Sequence, residues 1–373
     1  MIAPFQAFTQ ERVSLSQRLL LRKAVAEFMP WGHTDRAGLL AMLDATPGEE
    51  AGRPQGAVPK AAFAHSELLT AMGHYQRAEM EAVCYLQHRY QFAVYPVQRI
   101  LTPFPLLLAV EPTSVCNLRC PMCFITDPRL SKDRALQGRM DMDLYRRIMQ
   151  EAQEHGLGAL VLASRGEPTL HPDLPLMISL ARQAGVLDIK VNTNATRLTE
   201  DLARRLLAAG PDLIVFSVDS SDPVLYRELR VGASLPPVLD NIRRFLEIRH
   251  REFHGTRTRT RAGLVLQRPE QDPDEERRFW LDLGVDEVGF SALRERPRLY
   301  EGALVEDRTP CSLLWERLYV WWDGTVNPCD ADYLSRLSPG RLGEGTTLHG
   351  IWTGEAMERL RATHAARTRG CVE

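Results

Sequence analysis

Apolar and polar residues change their period at about residue 105. From there to about 300, short apolar runs alternate with amphipathic stretches. The runs are PLLLAVE (105–111), GALVLA (158–163), LDIKVN (187–192), LIVFSV (213–218), AGLVLQ (262–267) and DEVGFS (286–291), each a strand candidate. Between them, DMDLYRRIMQEAQEH (141–155) puts Leu144, Ile148 and Ala152 on one face at helical spacing. TEDLARRLLAAG (199–210) has Thr199 as a cap and Gly210 as a stop. PPVLDNIRRFLEIRH (236–250) and DPDEERRFWLDLG (272–284) complete the helical set.

Six β–α units predict an α/β fold, a parallel sheet wrapped by helices. Six falls short of the eight that close a TIM barrel, so a partial (βα)6 TIM-like barrel is expected, with a doubly wound open sheet as the alternative. Residues 1–100 read as mostly helical. TDRAGLLAMLDA (34–45) opens on a Thr or Asp cap, and PGEEAGRPQGAVPK (47–60) is a loop. SELLTAMGHYQRAEMEAVCYLQHRY (66–90) reads as one long helix with Cys84 as a small core residue. The basic run REFHGTRTRTR (251–261) reads as a solvated loop, a nucleic-acid contact being the sharper alternative. Beyond 305, PCSLLWERLYVWWDGTVNPCDADY (310–333) predicts a β-hairpin turning at Asp323-Gly324, and GEAMERLRATHAA (354–366) a last helix. Three regions follow: a helical 1–100, a core 101–304 and a small hairpin-and-helix extension 305–373.

Composition changes this picture little. An apolar fraction of 44% with 25% charged residues suits a globular protein, and a net charge of −2 gives no bulk attraction to nucleic acid. The N-terminus lacks a signal-like pattern, and FPLLLAV (104–110) is too short to cross a bilayer, so a cytoplasmic protein is expected. There, seven cysteines are free thiols or metal ligands rather than disulfides.

Three of those cysteines, Cys116, Cys120 and Cys123, fall within the eight residues CNLRCPMC. Structural zinc takes four ligands, commonly in two separated pairs. Three local thiols suit an iron–sulfur cluster better, leaving one iron open to a chelating molecule. The loop follows the first predicted strand, at the end of a parallel sheet where active sites form.

This C-x3-C-x2-C signature resembles that of the radical SAM superfamily. The resemblance implies a 4Fe–4S cluster on Cys116, Cys120 and Cys123, whose open iron chelates S-adenosylmethionine (SAM). It also implies reductive cleavage of SAM to methionine and a 5′-deoxyadenosyl radical. Further pieces fit, over roughly residues 105–300. SRGEPTLHPDL (164–174) is similar to the Gly-Gly-Glu-Pro motif, so Gly166 and Glu167 would receive the SAM ammonium. NTNAT (192–196) supplies Asn192 and Asn194, and SVDSS (217–221) supplies Ser217 and Asp219 for ribose hydroxyls. Two departures stand out. Met122 and Phe124 flank the third cysteine where many members have an aromatic before it, and Arg165 replaces the first glycine of the motif.

Cys311, Gly324 and Cys329, the Ile351-Trp352 pair and the late Cys371 resemble the SPASM or twitch extension. That implies one auxiliary iron–sulfur cluster on Cys311, Cys329 and Cys371. Its fourth ligand is open among Asp330, Asp332, His364, a cysteine beyond Glu373 and the substrate itself. Free thiols in a small β-domain and a zinc site are the blander alternatives.

The resemblance implies a flavodoxin or ferredoxin as electron donor, and oxidation or epimerisation of a sugar-like or aminocyclitol small molecule. Arg165, Arg268 and Arg294, each just after a predicted strand, would suit an anionic group on it. Modification of a ribosomal peptide is the alternative, and a noncatalytic metal-binding protein is a reading of another class.

Overall fold

The computed structural model describes residues 5–28, 35–48, 50–51, 60–293 and 310–366. Eleven strands are found among them: β1 (Phe5–Thr9), β2 (Glu50–Ala51), β3 (Leu107–Val110), β4 (Ala159–Leu162), β5 (Asp188–Thr193), β6 (Leu213–Ser217), β7 (Arg259–Leu266), β8 (Glu287–Ala292), β9 (Arg317–Val320), β10 (Thr325–Asn327) and β11 (Gly340–Arg341). They form one sheet in the order β11-β10-β9-β3-β4-β5-β6-β7-β8-β1-β2. Strands β3 to β8 run parallel in sequence order, in registers such as Leu107↔Ala159. These are the six predicted strands. The fold is the partial (βα)6 barrel, not a doubly wound sheet, which would place helices on both faces of an open sheet.

Strand alternation divides the side chains. Leu108, Val110, Leu160, Leu162, Ile189 and Val191 point outward into the main core, where the helices cover them. Leu107, Ala109, Ala159, Tyr319 and Trp321 gather on the other face, with Phe92 packed against them. The surrounding helices form as their patterns dictate. Met142–His155 buries Leu144, Ile148 and Ala152 behind an Asp141 cap. Glu200–Ala209 is capped by Thr199 and stopped by left-handed Gly210.

Both edges of the six-stranded barrel carry an added strand. β9 pairs parallel with β3, and the hairpin expected at Asp323-Gly324 joins β9 to β10, with Gly324 at φ +87°. β1 pairs antiparallel with β8, as in Phe5↔Ser291. The sequence predicts no strand there. FQAFT buries only Ala7 and Thr9, too short a period-two signal to register without the β8 edge that it completes.

Three other expectations change. The long helix over 66–90 is two helices, His65–Tyr75 and Glu79–Gln98. Ala78 is extended (φ −158°, ψ 128°), and Arg77 Nη1 donates to Gly73 O at 2.6 Å across the break. Cys84 is exposed, because its position on the second helix faces away from the neighbours that bury Val83 and Tyr85. The basic run is no simple solvated loop. Its last residues enter β7, where Arg259 and Arg261 both pair with Glu287.

The helix Glu79–Gln98 packs at the N-terminal ends of the strands. His88 meets Gly158 there so closely that a Cβ on Gly158 would sit 2.0 Å from the His88 ring. Burial, with Arg89 beside it, pushes the His88 pKa down to about 3. An unfolded histidine titrates near 6.5. Between those values the unfolded chain binds a proton that the folded chain refuses, so stability falls as pH drops below about 6.5, by roughly 1.4 kcal/mol per pH unit. Urea midpoints measured at pH 7.5, 6 and 5 should fall in that order, and less steeply for His88→Gln. Equal slopes for the two proteins would show that His88 does not carry this effect.

Candidate functional site

The predicted residues lie on loops after β3, β4, β5 and β6, so parallel pairing delivers all four loops to one end of the barrel. The cysteine loop leaves β3 at Glu111. Its last turn is tight, Cys123 N donating to Cys120 O at 2.9 Å. Cys120 is buried, and Cys116 and Cys123 are half-buried. Burial pushes the Cys116 thiol up to about 11, and the proximity of Glu167, Cys123 and Cys120 adds to the rise. The three thiols and the glutamate therefore share one electrostatic environment.

The loop after β4 is fastened directly to this one. Glu167 N donates to Val115 O at 2.9 Å. A Cβ on Gly166 would lie 2.0 Å from Thr113 O and 2.7 Å from Val115 O, so only glycine allows the approach. Glu167 is buried. Its Oε1 accepts from Thr193 Oγ1 and Thr169 Oγ1, each at 2.6 Å, and its Oε2 from Asn194 N at 2.8 Å. Burial raises its pKa against the pull of these bonds. Oε2 has this single donor and can accept another. Asn194 Nδ2 donates to Asn117 Oδ1 at 3.1 Å, tying the end of β5 to the residue after Cys116. Asn192 ends with a buried Oδ1 that has no hydrogen-bond partner, and so does the Ser164 hydroxyl, on a residue strained at φ +144°. Ser217 closes β6, half-buried.

Three of the residues singled out in the sequence have partners that it does not announce. Asp219 is wholly buried at φ +61°. Its Oδ1 accepts from Val265 N at 2.9 Å, and its Oδ2 lies 2.7 Å from Arg230 Nε, an ion pair without hydrogen-bond alignment. Both oxygens are thus engaged, and Asp219 is the counter-ion of Arg230. Arg230 in turn reaches Cys120 Sγ through Nη1 at 3.8 Å. Arg165 does not face a substrate anion. It is 3% exposed, pairs bidentately with Glu111 at 2.6 and 2.7 Å and lies 4.5 Å over the Trp321 ring. Phe124 spends its ring on Tyr333, with centroids 5.2 Å apart and planes 15° apart, which leaves its backbone for a cofactor. Met122 is half-buried beside it. Arg268 is exposed, and Arg294 lies outside the described residues.

Sequence reasoning missed Glu111, Arg230 and Tyr333. Glu111 carried a signal: a charged residue ending an otherwise apolar strand. Arg230 and Tyr333 lie 110 and 206 positions beyond their partners Cys120 and Asp127, outside any local pattern, and only folding brings them here.

Cys311 and Cys329 are both half-buried. Burial raises the Cys329 thiol, and Asp330 and Cys311 raise it further, which places the two cysteines near one another. Cys329 Sγ donates to Asp330 Oδ1 at 3.9 Å. Asp332 instead caps the next turn, accepting from Arg336 N at 2.8 Å and Leu337 N at 2.7 Å. His364 is buried on the last helix, and Cys371 lies outside the described residues.

Among the described residues, no group of three or more His, Cys, Asp or Glu converges on a point as a single metal ion requires. A cluster differs, taking one thiolate per iron at spread positions. Three spread thiols, a guanidinium beside one of them and orphaned polar atoms on Asn192 and Ser164 fit a cluster with a polar ligand next to it.

Comparison with known proteins agrees. The family model of the Radical SAM superfamily matches residues 110–272, and that of the SPASM iron-sulfur cluster-binding domain matches residues 311–372. A tungsten-containing aldehyde ferredoxin oxidoreductase cofactor-modifying protein of Pyrococcus furiosus is 31% identical over 213 residues, 54% of this chain and 57% of that protein. The match thus spans little more than half of that relative. A PqqA peptide cyclase of Ruegeria pomeroyi is 28% identical over 310 residues, 70% of this chain and 77% of the cyclase. In fold, the chain is similar to Streptococcus suis SuiB bound to precursor peptide SuiA, with a TM-score of 0.52 at 16% identity, over 75% of this chain and 72% of that one. The two domains imply a 4Fe–4S cluster with SAM and auxiliary iron–sulfur clusters. Among the described residues no helix is long and apolar enough to cross a membrane. The chain thus carries a radical SAM domain followed by a SPASM iron–sulfur extension.

Proposed function

We propose that this enzyme takes a hydrogen from a C–H bond of a sugar-like or aminocyclitol small molecule and brings about its oxidation or epimerisation. The observation that carries the reading is the direct packing of the auxiliary thiol segment on the catalytic cysteine loop: Tyr333, four residues after Cys329, stacks on Phe124 beside Cys123. Two cluster sites so joined suit a reaction in which hydrogen abstraction is followed by a second redox or hydrogen-returning step.

A 4Fe–4S cluster held by Cys116, Cys120 and Cys123 would supply, when bound and reduced, the electron for cleavage of SAM and hence the means of hydrogen removal. The chain's own residues prepare that chemistry. Cys116, Cys120 and Cys123 would hold the cluster, and the Arg230 guanidinium favours the Cys120 thiolate. Glu167 offers a buried carboxylate to the SAM ammonium. Asn192, Asn194 and Ser217, with the backbone near Met122 and Phe124, would orient the rest of the molecule. Cys311, Cys329 and Cys371 would hold the auxiliary cluster, and a flavodoxin or ferredoxin would donate the electron.

A small substrate is supported by the N-terminal region. Its described strands, β1 and β2, extend the barrel sheet and form no separate three-stranded sheet of the kind that binds a peptide leader. Peptide modification is the second reading, favoured by the likeness to a PqqA peptide cyclase over 77% of that protein.

After anaerobic reconstitution, wild type should hold about eight irons and the Cys116/Cys120/Cys123 triple alanine variant about four. Zinc in their place would overturn the radical reading, and Cys120→Ala should form no deoxyadenosine. To identify the substrate class, a deuterated cell extract is divided by size and supplied to the reduced enzyme with SAM. Deuterium should enter 5′-deoxyadenosine from the fraction below about 1 kDa. Entry from the peptide fraction alone would favour the second reading, and no SAM cleavage at all would leave a noncatalytic metal-binding protein. Gly166→Ala should keep its iron and lose SAM binding, because the added Cβ forces the loop away from Thr113 O. Undiminished binding by that variant would show that the close approach is dispensable.

A further inference from the structure

We propose that Tyr333 is a positioning residue that couples the auxiliary thiol segment to the SAM site, so that a change at Cys329 alters affinity for SAM. The inference rests on the functional reading above and adds to it a link between the two sites.

Tyr333 is fully buried, and three of its parts hold three separate pieces of chain. Its carbonyl accepts from Arg165 Nη1 at 3.2 Å. Arg165 directly precedes Gly166 and Glu167, and its own N–H and guanidinium are fixed on Glu111, so the grip reaches the loop that receives SAM. Its hydroxyl donates to Asp127 Oδ2 at 2.6 Å, a short bond to a carboxylate that Arg129 also holds. Its ring stacks on Phe124, and the group formed by Phe124, Leu130 and Tyr333 packs against Cys123 itself.

The auxiliary side is equally fixed. Only three residues separate Cys329 from Tyr333, and Asp332 closes the following turn on Arg336 N and Leu337 N. Trp321 Nε1 donates to Ser335 Oγ at 2.9 Å on the far side of that turn. A buried residue in close packing cannot shift alone. When the segment at Cys329 moves, Tyr333 must move the Gly166–Glu167 loop, the turn after Cys123, or both. Coupling of this kind is reciprocal, so bound SAM also steadies the auxiliary segment.

The test measures SAM dissociation constants by anaerobic equilibrium dialysis on reconstituted full-length protein. Iron is counted in each sample, so that loss of the catalytic cluster is not mistaken for loss of affinity. Tyr333→Ala should bind SAM about tenfold more weakly, the scale of one charged hydrogen bond with its stacking partner. Tyr333→Phe keeps the ring and the carbonyl and should recover part of that loss. Cys329→Ser should also weaken binding. The Tyr333→Ala/Cys329→Ser double variant should be no weaker than the weaker single, because both act through one link. Wild-type affinity in the Tyr333 variants or in Cys329→Ser would overturn the coupling, as would losses that simply sum. If Tyr333→Ala does not fold, Tyr333→Phe and Cys329→Ser decide the matter alone. A cluster-loaded wild type that binds no SAM would bring down the functional reading itself. A wild type that binds SAM, with variants that match it, brings down the coupling only.

Discussion

The buried ion pair between Glu111 and Arg165 is the constraint on which the site depends. Glu111 follows β3 at 0% exposure, and Arg165 follows β4 at 3%. Such a pair gives up hydration on both sides and is tolerated only when its remaining hydrogen-bonding capacity is used. Here it is: Glu111 accepts from Arg165 N, Nε and Nη2 and from Trp322 N, while Arg165 adds Tyr333 O and the Trp321 face. Four pieces of chain meet there: the cysteine loop, the SAM loop, the strand β9 exit and the auxiliary segment. A glycine at 165, as in the family motif, would keep only the backbone N–H bond to Glu111. Removing either partner would leave a buried charge alone, which costs about 3–5 kcal/mol.

The thiols show the same economy of charge. Burial alone disfavours thiolates, as the raised Cys116 and Cys120 values show. Metal binding needs thiolates, so the site must hold positive charge in reserve. Arg230 supplies it beside Cys120, and Asp219 keeps Arg230 from being an isolated buried cation. The strained left-handed backbone at Asp219 is stored locally, with its carbonyl held by Gln271 Nε2 at 2.6 Å.

What the sequence made legible was whatever depends on local period and spacing. The six strands, the helix Met142–His155 with its Leu144–Ile148–Ala152 face, the Thr199 and Gly210 boundaries and the β9–β10 turn all show in residues a few positions apart. The cysteine loop and the motif containing Gly166 and Glu167 were legible for the same reason. Partners distant in sequence were not. Arg165 looked like a free cation because Tyr333 lies 168 positions away, and nothing near Asp219 announces Arg230 as its counter-ion. β1 was hidden because half of its hydrogen bonding belongs to β8.

The direction of β9 explains how the extension reaches the buried pair of Glu111 and Arg165. A partial barrel leaves two open edges, each a row of unpaired backbone groups. At the β8 edge the chain uses an antiparallel strand, β1. At the β3 edge it uses a parallel one. Parallel pairing makes β9 finish where β3 finishes, so Val320 stands beside Val110 and the chain leaves into Trp321 and Trp322 at the cysteine end. An antiparallel strand would cover the same edge but send the chain toward the opposite end, away from Cys116. The parallel choice therefore closes the edge and also carries Trp321 and Trp322 to the catalytic face, where Trp322 N donates to Glu111, before β10 turns the chain back.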